Sequence, residues 1–241
     1  MKIDIITLFP EMFKGFLFES IIGRAIKENK VEINLVNLRD YTKEKHGHVD
    51  DTPFGGGAGM VLMCQPVFDC IKALRKEDSL VIMMTPQGKT YNQGIANELK
   101  LKNHLILLCG HYEGFDERIR SIVDLEISIG DFVLTGGEIA AMAITDSIVR
   151  LLDGVIEADS HEYDSYSNWM LEHPQYTKPR VYEGLEVPEV LCNGNHKEIE
   201  KYKLKESLRR TYLRRPDLLL KHELTKEEKK LLDEIIEESK C

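Results

Sequence analysis

Two glycine-containing segments carry most of the information about the fold: Leu108-Cys-Gly-His-Tyr-Glu-Gly-Phe-Asp-Glu-Arg118 and Ile127-Ser-Ile-Gly-Asp-Phe-Val-Leu-Thr-Gly-Gly137. Each begins where a short apolar run ends, and short apolar runs bounded by glycine are typical of buried strands. A third strand end, Thr85-Pro-Gln-Gly88, follows the run Leu80-Val-Ile-Met-Met84. Because glycine permits sharp turns and close backbone approach, the three ends predict one ligand pocket at the carboxyl edge of a parallel sheet.

Strands and helices alternate over the first two-thirds of the chain, which predicts a mostly parallel, three-layer α/β domain. The predicted strands cover residues 2–8, 31–36, 80–84, 104–109 and 125–129, and the predicted helices cover residues 10–27, 65–75, 92–100, 116–123 and 137–152. We expect the first helix to break near Gly15 or Gly23 and the polar stretch 39–59 to be a long loop.

The character of the sequence changes after Gly154. Residues 158–170 are polar and lack periodicity, so we interpret them as an exposed linker between a domain at 1–157 and a small helical domain at 171–241. Within that second domain, Arg215-Pro216 predicts a helix break, and Thr225-Lys-Glu-Glu228 has the capping-box pattern that opens a last helix.

The amino-acid composition and the cysteine pattern limit the classes of protein to which the chain can belong. The 241 residues are 42% hydrophobic and 30% charged, which is ordinary for a soluble globular protein. No apolar run approaches the roughly 20 residues that a membrane span needs, and the first strand is too short for a signal peptide. The five scattered cysteines form no Cys-x-x-Cys pair, so we predict a reduced, cytoplasmic location without structural zinc.

The net charge of −9 argues against a nucleic-acid partner, but the basic residues are unevenly distributed. Between Lys197 and Arg215 eight basic residues stand against three acidic ones. Two arginine pairs flank Tyr212 there, a pattern that favours phosphate and base contact over an ordinary solvated helix face. The predicted RNA-binding residues are Arg209, Arg210, Arg214 and Arg215.

Other polar or glycine-rich motifs carry less information. The loop Gly55-Gly-Gly-Ala-Gly59 lacks the Lys-Ser/Thr of a phosphate-binding loop, and no dinucleotide fingerprint follows the first strand, which excludes the usual oxidoreductase site. His46, His48, Asp50 and Asp51 have metal-ligand side chains, but a solvated loop is the better interpretation, and we predict no metal site.

Taken together, the motifs resemble the bacterial tRNA (guanine-N1)-methyltransferase family, of the SPOUT class of knotted methyltransferases. The resemblance covers nearly the whole chain. It rests on Leu8-Phe-Pro-Glu-Met-Phe13, Val49-Asp-Asp-Thr-Pro-Phe-Gly-Gly-Gly-Ala-Gly-Met60, Pro86-Gln-Gly88, Cys109-Gly-His-Tyr-Glu-Gly114, Asp116-Glu-Arg118, Ser128-Ile-Gly-Asp-Phe-Val-Leu-Thr-Gly-Gly-Glu138 and Leu213-Arg-Arg-Pro-Asp-Leu218.

The resemblance implies a SPOUT-type sheet with a deep trefoil knot that wraps S-adenosylmethionine, followed by a C-terminal helical domain that binds tRNA. It also implies an obligate homodimer with shared active sites, which suits the apolar helix predicted at 137–152. The residues that match the family's cofactor site are Thr85, Pro86, Gln87, Gly88, Gly110, Tyr112, Glu113, Gly114, Ile129, Gly130, Asp131, Phe132, Val133, Leu134, Gly136 and Gly137.

By the same resemblance, Asp164 is the general base and Arg150 the catalytic arginine, although each alone would pass for an ordinary surface charge. The implied reaction methylates N1 of guanosine 37, just 3′ of the anticodon, with the anticodon stem-loop held by the basic helices. Magnesium is implicated in the family, without a dedicated protein site here. The alternatives are a SPOUT ribose 2′-O-methyltransferase acting on tRNA or ribosomal RNA and a non-catalytic RNA-binding module.

Overall fold

The structure is a computed structural model that describes residues 1–157 and 164–239. Contacts between Cα atoms divide the chain into two compact units, Met1–Glu157 and Ala158–Cys241. Within the described residues, no helix combines the length and the apolar character needed to cross a membrane.

The first unit is built on a parallel sheet of five strands in the order β2-β1-β6-β5-β7. The mixed α/β class with a central parallel sheet, predicted from the sequence, is confirmed. The strands are β1 (Lys2–Thr7), β2 (Glu32–Asn37), β3 (Asp50–Asp51), β4 (Val61–Leu62), β5 (Ser79–Thr90), β6 (His104–Leu108), β7 (Leu125–Ser128), β8 (Val181–Tyr182) and β9 (Leu185–Glu186).

Helices connect the strands and form the C-terminal unit. They are α1 (Lys14–Phe18), α2 (Ser20–Lys27), α3 (Cys64–Leu74), α4 (Gln93–Leu99), α5 (Glu138–Val149), α6 (His196–Arg214), α7 (Pro216–Leu219) and α8 (Lys226–Glu238). Single 3₁₀ turns lie at Pro10–Phe13, Leu38–Tyr41, Lys45–Gly47, Glu117–Ile122 and Glu189–Leu191.

Alternate side chains of the central strands belong to two separate apolar cores. Leu105 and Leu107 of β6 join one core with residues of α1, α2, α4 and α5, whereas Ile106 and Leu108 join the other with residues of α3. Successive side chains of a strand point to opposite faces, so the sheet lies between two helical layers. This arrangement fixes the carboxyl ends of β5, β6 and β7 at one edge.

Two predicted boundaries were wrong. The helix predicted at 10–27 breaks at Glu19, whose backbone is extended (φ −111°, ψ 162°), and not at a glycine. Gly23 instead packs on the preceding turn, where an added Cβ would lie 2.6 Å from the carbonyl carbon of Phe18. The strand predicted to end at Met84 continues to Thr90, with a shift of register against β7 between Met84 and Lys89.

The stretch predicted as a structureless loop at 39–59 contains short ordered pieces. Two 3₁₀ turns lie in it, and β3 pairs antiparallel with β4. The two strands form a separate small sheet, which one further bond extends: the Met63 N–H donates to the Val49 carbonyl at 2.8 Å. Tertiary contacts therefore order part of this stretch, and its polar composition does not predict that order.

The second unit has its own small core, formed by Met170, Leu208, Leu231 and Ile235. The predicted capping box is confirmed: Thr225 Oγ1 accepts from the Glu228 N–H at 3.2 Å, and Glu228 Oε2 accepts from the Thr225 N–H at 2.7 Å. The break predicted at Arg215 is present between α6 and α7.

Part of the predicted linker belongs to this core. Met170 is only 6% exposed, and the Trp169 ring stacks on His222 with the ring centroids 4.0 Å apart. The Tyr166 N–H donates to the Met170 carbonyl at 2.8 Å, and the Leu171 N–H donates to Thr211 Oγ1 of α6 at 2.9 Å. Residues 164–171 are therefore held by the C-terminal helices, while 158–163 of the predicted linker lie outside the described residues.

Candidate active site

A cavity of about 390 Å³ opens at the carboxyl ends of β5, β6 and β7. Its volume falls within the roughly 300–1,000 Å³ usual for small-molecule sites. Its walls come from three segments, residues 84–87, 110–115 and 127–137, with Ala140 of α5 at the end of the last. This is the sheet edge at which the sequence predicted a ligand pocket.

The three segments contact one another through their backbones. The Gly137 N–H donates to the Gly110 carbonyl at 2.8 Å, and a Cβ on Gly137 would lie 2.8 Å from the Cys109 Cα. A Cβ on Gly88 would lie 2.5 Å from the carbonyl carbon of Glu126 in β7. Such approaches exclude any side chain, so glycine is required at both positions.

The structure brings together most of the predicted cofactor residues. All of them line the cavity except Gly88 and Asp131. Gly88 supports the wall from behind by crossing β7 closely, and Asp131 is an exposed residue of the third segment. Residues of the wall that the prediction did not include are Met84, His111, Phe115, Glu117, Arg120, Ile127, Ser128, Thr135 and Ala140.

The loop after β6 is held in an unusual backbone conformation. Tyr112 has φ +61°, which is uncommon for a residue with a side chain, and Gly114 has φ +120°. The Glu113 N–H donates to the Met60 carbonyl, and the Leu62 N–H donates to the Gly114 carbonyl, both at 2.9 Å. The glycine-rich stretch that ends at Met60 is therefore attached directly to the cavity wall.

Arg120 organises a polar cluster at the cavity. Its guanidinium donates to Gln87 Oε1 at 2.8 Å and to Glu117 Oε2 at 2.9 Å, and it also pairs with Glu126. Glu126 first, then Glu117, raise the pKa of Arg120, so it stays charged. The i, i+3 spacing of Glu117 and Arg120 in the sequence is a signal that could have found part of this cluster.

Two further features bear on ligand binding. The Nδ1 atom of His111 is buried without a hydrogen-bond partner among the described residues. No group of three or more His, Cys, Asp or Glu side chains in the described ranges, 1–157 and 164–239, is arranged to hold a metal ion. His111 itself lines the cavity, so this ring nitrogen is a polar atom of the wall that a ligand could contact.

The two predicted catalytic residues lie in different units. Arg150 follows the last turn of α5, where its N–H donates to the Asp146 carbonyl at 3.0 Å. Asp164 begins the segment that packs on the C-terminal helices, and its carbonyl accepts from the Ser167 N–H at 3.1 Å. Both residues are half-buried.

The predicted RNA-binding arginines differ in their surroundings. Arg209 pairs with Glu206 of its own helix and with Glu238 of α8, and Arg215 pairs with Asp217 at 2.8 Å. Arg210 donates to the Glu172 carbonyl at 3.4 Å. Arg214 is exposed to solvent at the end of α6. The side chains therefore do not form one uniform basic face.

Comparisons with known proteins agree on one family. The family described as "tRNA (Guanine-1)-methyltransferase TrmD" matches residues 1–221. The tRNA (guanine-N(1)-)-methyltransferase of Fusobacterium nucleatum is 58% identical over 239 residues, covering 99% of both chains. The enzyme of the same name from Dictyoglomus turgidum is 54% identical over 239 residues, or 99% of this chain and 98% of its own. That from Bacillus cereus AH820 is 56% identical over 242 residues, or 98% and 99%. The chain therefore belongs to the tRNA (guanine-N1)-methyltransferase family.

Proposed function

We propose that the protein transfers a methyl group from S-adenosylmethionine to N1 of guanosine 37 of tRNA, immediately 3′ of the anticodon. The observation that carries the proposal is the cavity at the sheet edge, walled by the glycine segments that match the family motifs. The names of the similar proteins support methylation of the base and do not favour the ribose 2′-O-methyltransferase alternative.

The walls of the cavity suit an adenosine-containing ligand. Gly110, Gly136 and Gly137 line the cavity, so this part of its wall is backbone without side chains and a planar base can approach it closely. When bound, S-adenosylmethionine supplies an electrophilic methyl group on a positively charged sulfur. We further infer that the three wall segments form the deep trefoil knot of the SPOUT class; the close crossing of Gly88 over β7 supports this.

The proposed chemistry assigns one task to each predicted catalytic residue. Neutral guanine carries a proton on N1, so that proton must leave before N1 can accept the methyl group, and Asp164 accepts it as general base. Negative charge then collects on O6, where the guanidinium of Arg150 stabilises it. This chain offers no three-ligand metal cluster among its described residues, and the proposed steps use only these side chains.

We propose a homodimer in which the two subunits share each active site. Apolar side chains beside the cavity support this: Phe132 is 52% exposed, Val133 is 85% exposed and Ile139 of α5 is 51% exposed. Contiguous exposed apolar surface often marks a subunit interface. Sedimentation velocity should give a particle of two 27.7 kDa chains, and a monomer at micromolar concentration would contradict the proposal.

We propose that the protein works in a reducing cytoplasm, which the free thiols of Cys64, Cys70, Cys109 and Cys192 support. We also propose that its C-terminal unit contacts the tRNA. Arg214→Ala should weaken tRNA binding and lower the slope of log K against log salt by about 0.7–0.9, the loss of one phosphate contact. Arg209→Ala is the matched control, with a smaller expected effect, because Glu206 and Glu238 already hold that guanidinium. Fluorescence anisotropy over a salt series measures both, and equal effects would contradict the assignment.

The proposed reaction is tested directly with labelled S-adenosylmethionine and unmodified tRNA transcripts that differ only at position 37. We expect 1-methylguanosine with guanosine at that position and no product with adenosine. A 2′-O-methylated nucleoside would favour the ribose alternative instead. Tight tRNA binding without cofactor binding would favour a non-catalytic RNA-binding module.

A further inference from the structure

We propose that the buried carboxylate of Glu138 makes the cavity prefer a cationic sulfonium ligand over its neutral thioether product. The inference rests on the proposed function, because it concerns the two forms of the cofactor before and after methyl transfer. Glu138 belongs to none of the predicted binding or catalytic residues, and it acts from behind the cavity wall.

The carboxylate lies directly beneath a residue that lines the cavity. Glu138 is 3% exposed and begins α5, and its Oε1 accepts a hydrogen bond from Thr7 Oγ1 at 2.8 Å. The Thr7 hydroxyl in turn accepts from the Phe9 N–H at 2.9 Å. The other oxygen, Oε2, occupies the space that a Cβ on Gly136 would take. One glycine residue of the cavity wall thus separates this carboxylate from the cavity.

The position of Glu138 in its helix and its hydrogen bond bear on how a carboxylate acts there. Glu138 stands in the first turn of a 12-residue helix, where the helix dipole stabilises an anion. Its hydrogen-bond donor is the neutral Thr7 hydroxyl, and His111 Nδ1 borders the same space beside Gly136 that Oε2 occupies. Burial first, and then the charge of Glu138, raise the pKa of the Cys109 thiol, next to Gly110 of the cavity wall.

The two forms of the cofactor differ in the charge on their sulfur atom, and a nearby carboxylate interacts differently with each. S-adenosylmethionine carries a positive sulfonium, whereas S-adenosylhomocysteine has lost the methyl group and the charge with it. Because electrostatic attraction is strong in a poorly solvated site, a fixed carboxylate favours the first form. Methyl transfer abolishes the attraction, so the same charge assists exchange of product for fresh cofactor.

Calorimetric titration of the full-length protein tests the inference without turnover. The dissociation constants of S-adenosylmethionine, S-adenosylhomocysteine and sinefungin, whose protonated amine replaces the sulfonium methyl, are measured for wild type and Glu138→Gln. We expect the preference for both cations over S-adenosylhomocysteine to fall roughly tenfold in the variant, with the affinity for the neutral ligand nearly unchanged. Glu98→Gln, which removes an exposed charge on α4, should leave the ratio unchanged.

Thr7→Val separates charge from positioning, because it removes the hydrogen-bond donor and keeps the carboxylate. An unchanged ratio in Glu138→Gln, or an equal fall in Thr7→Val, would overturn the inference. Should Glu138→Gln no longer bind S-adenosylhomocysteine, Glu138→Asp and Glu138→Asn replace it: the preference should survive only in the aspartate variant, and equal ratios would overturn the inference. Wild type that binds none of the ligands would instead overturn the proposed function.

Discussion

Replacing Asp164 with alanine is expected to lower kcat for tRNA methylation by about 10²–10⁴-fold, the usual contribution of a positioned general base. The guanine N1 proton then has no acceptor in the active site, so N1 stays protonated while the cofactor is bound. We expect the dissociation constant for S-adenosylmethionine to stay within about twofold of wild type, because every residue that lines the cavity belongs to the first unit and Asp164 belongs to the second. Single-turnover methyl transfer with saturating tRNA measures the loss.

The control for this variant is Asp233→Ala, which removes an exposed carboxylate of α8 in the same unit. It should retain wild-type turnover, since the overall charge change is identical. Thermal unfolding of both variants shows whether the segment at 164–171 still packs on the C-terminal helices. Methyl transfer at the wild-type rate by Asp164→Ala would remove that residue from the base role.

Gly88→Ala is expected to destabilise the protein by about 1–3 kcal/mol and to abolish tight S-adenosylmethionine binding. The added Cβ would lie 2.5 Å from the carbonyl carbon of Glu126 and 2.7 Å from its oxygen, and these are backbone atoms that a rotamer change cannot move. Relief requires β5 and β7 to separate, which displaces Gln87 and Ile127 in the cavity wall. Urea unfolding and calorimetric titration measure the two effects.

Gly15→Ala is the control in the same experiment, and we expect it to have the opposite effect on stability. Gly15 lies in α1, and an added Cβ would meet no atom within 4 Å. Alanine is favoured over glycine in a helix by about 1 kcal/mol, so this variant should be slightly more stable and bind the cofactor normally. If Gly88→Ala unfolds at the wild-type urea concentration, the close crossing does not constrain the wall.

Secondary structure could be predicted from the sequence where the local residue pattern and the tertiary packing favour the same element. The buried strand His104–Leu108 could be predicted because every residue of its apolar run is buried. The end of β5 could not, because Pro86 and Gly88 have the composition of a turn, and the strand pairs with β7 again only at Lys89 and Thr90. The helix break at Glu19 was also missed: Ser20, which follows it, has φ +55°, and nothing in the local sequence marks that conformation.

The cavity wall could be predicted largely from glycine motifs. Backbone segments that approach one another closely require glycine, and glycine is visible in the sequence. The contacts of Arg120 could not, because Gln87 and Glu126 reach it only after three segments of the chain meet. The same is true of Arg209, whose partner Glu238 lies on a different helix. A basic segment in the sequence therefore does not reveal which of its charges remain available to a ligand.

The hydrogen bonds from Tyr166 to Met170 and from Leu171 to Thr211 attach the Asp164 segment to the C-terminal helices. If Asp164 is the proton acceptor and those helices bind the tRNA, both act from the second unit, whereas every residue that lines the cavity belongs to the first. Cofactor binding and tRNA binding then depend on different parts of the chain, and each can be measured without the other.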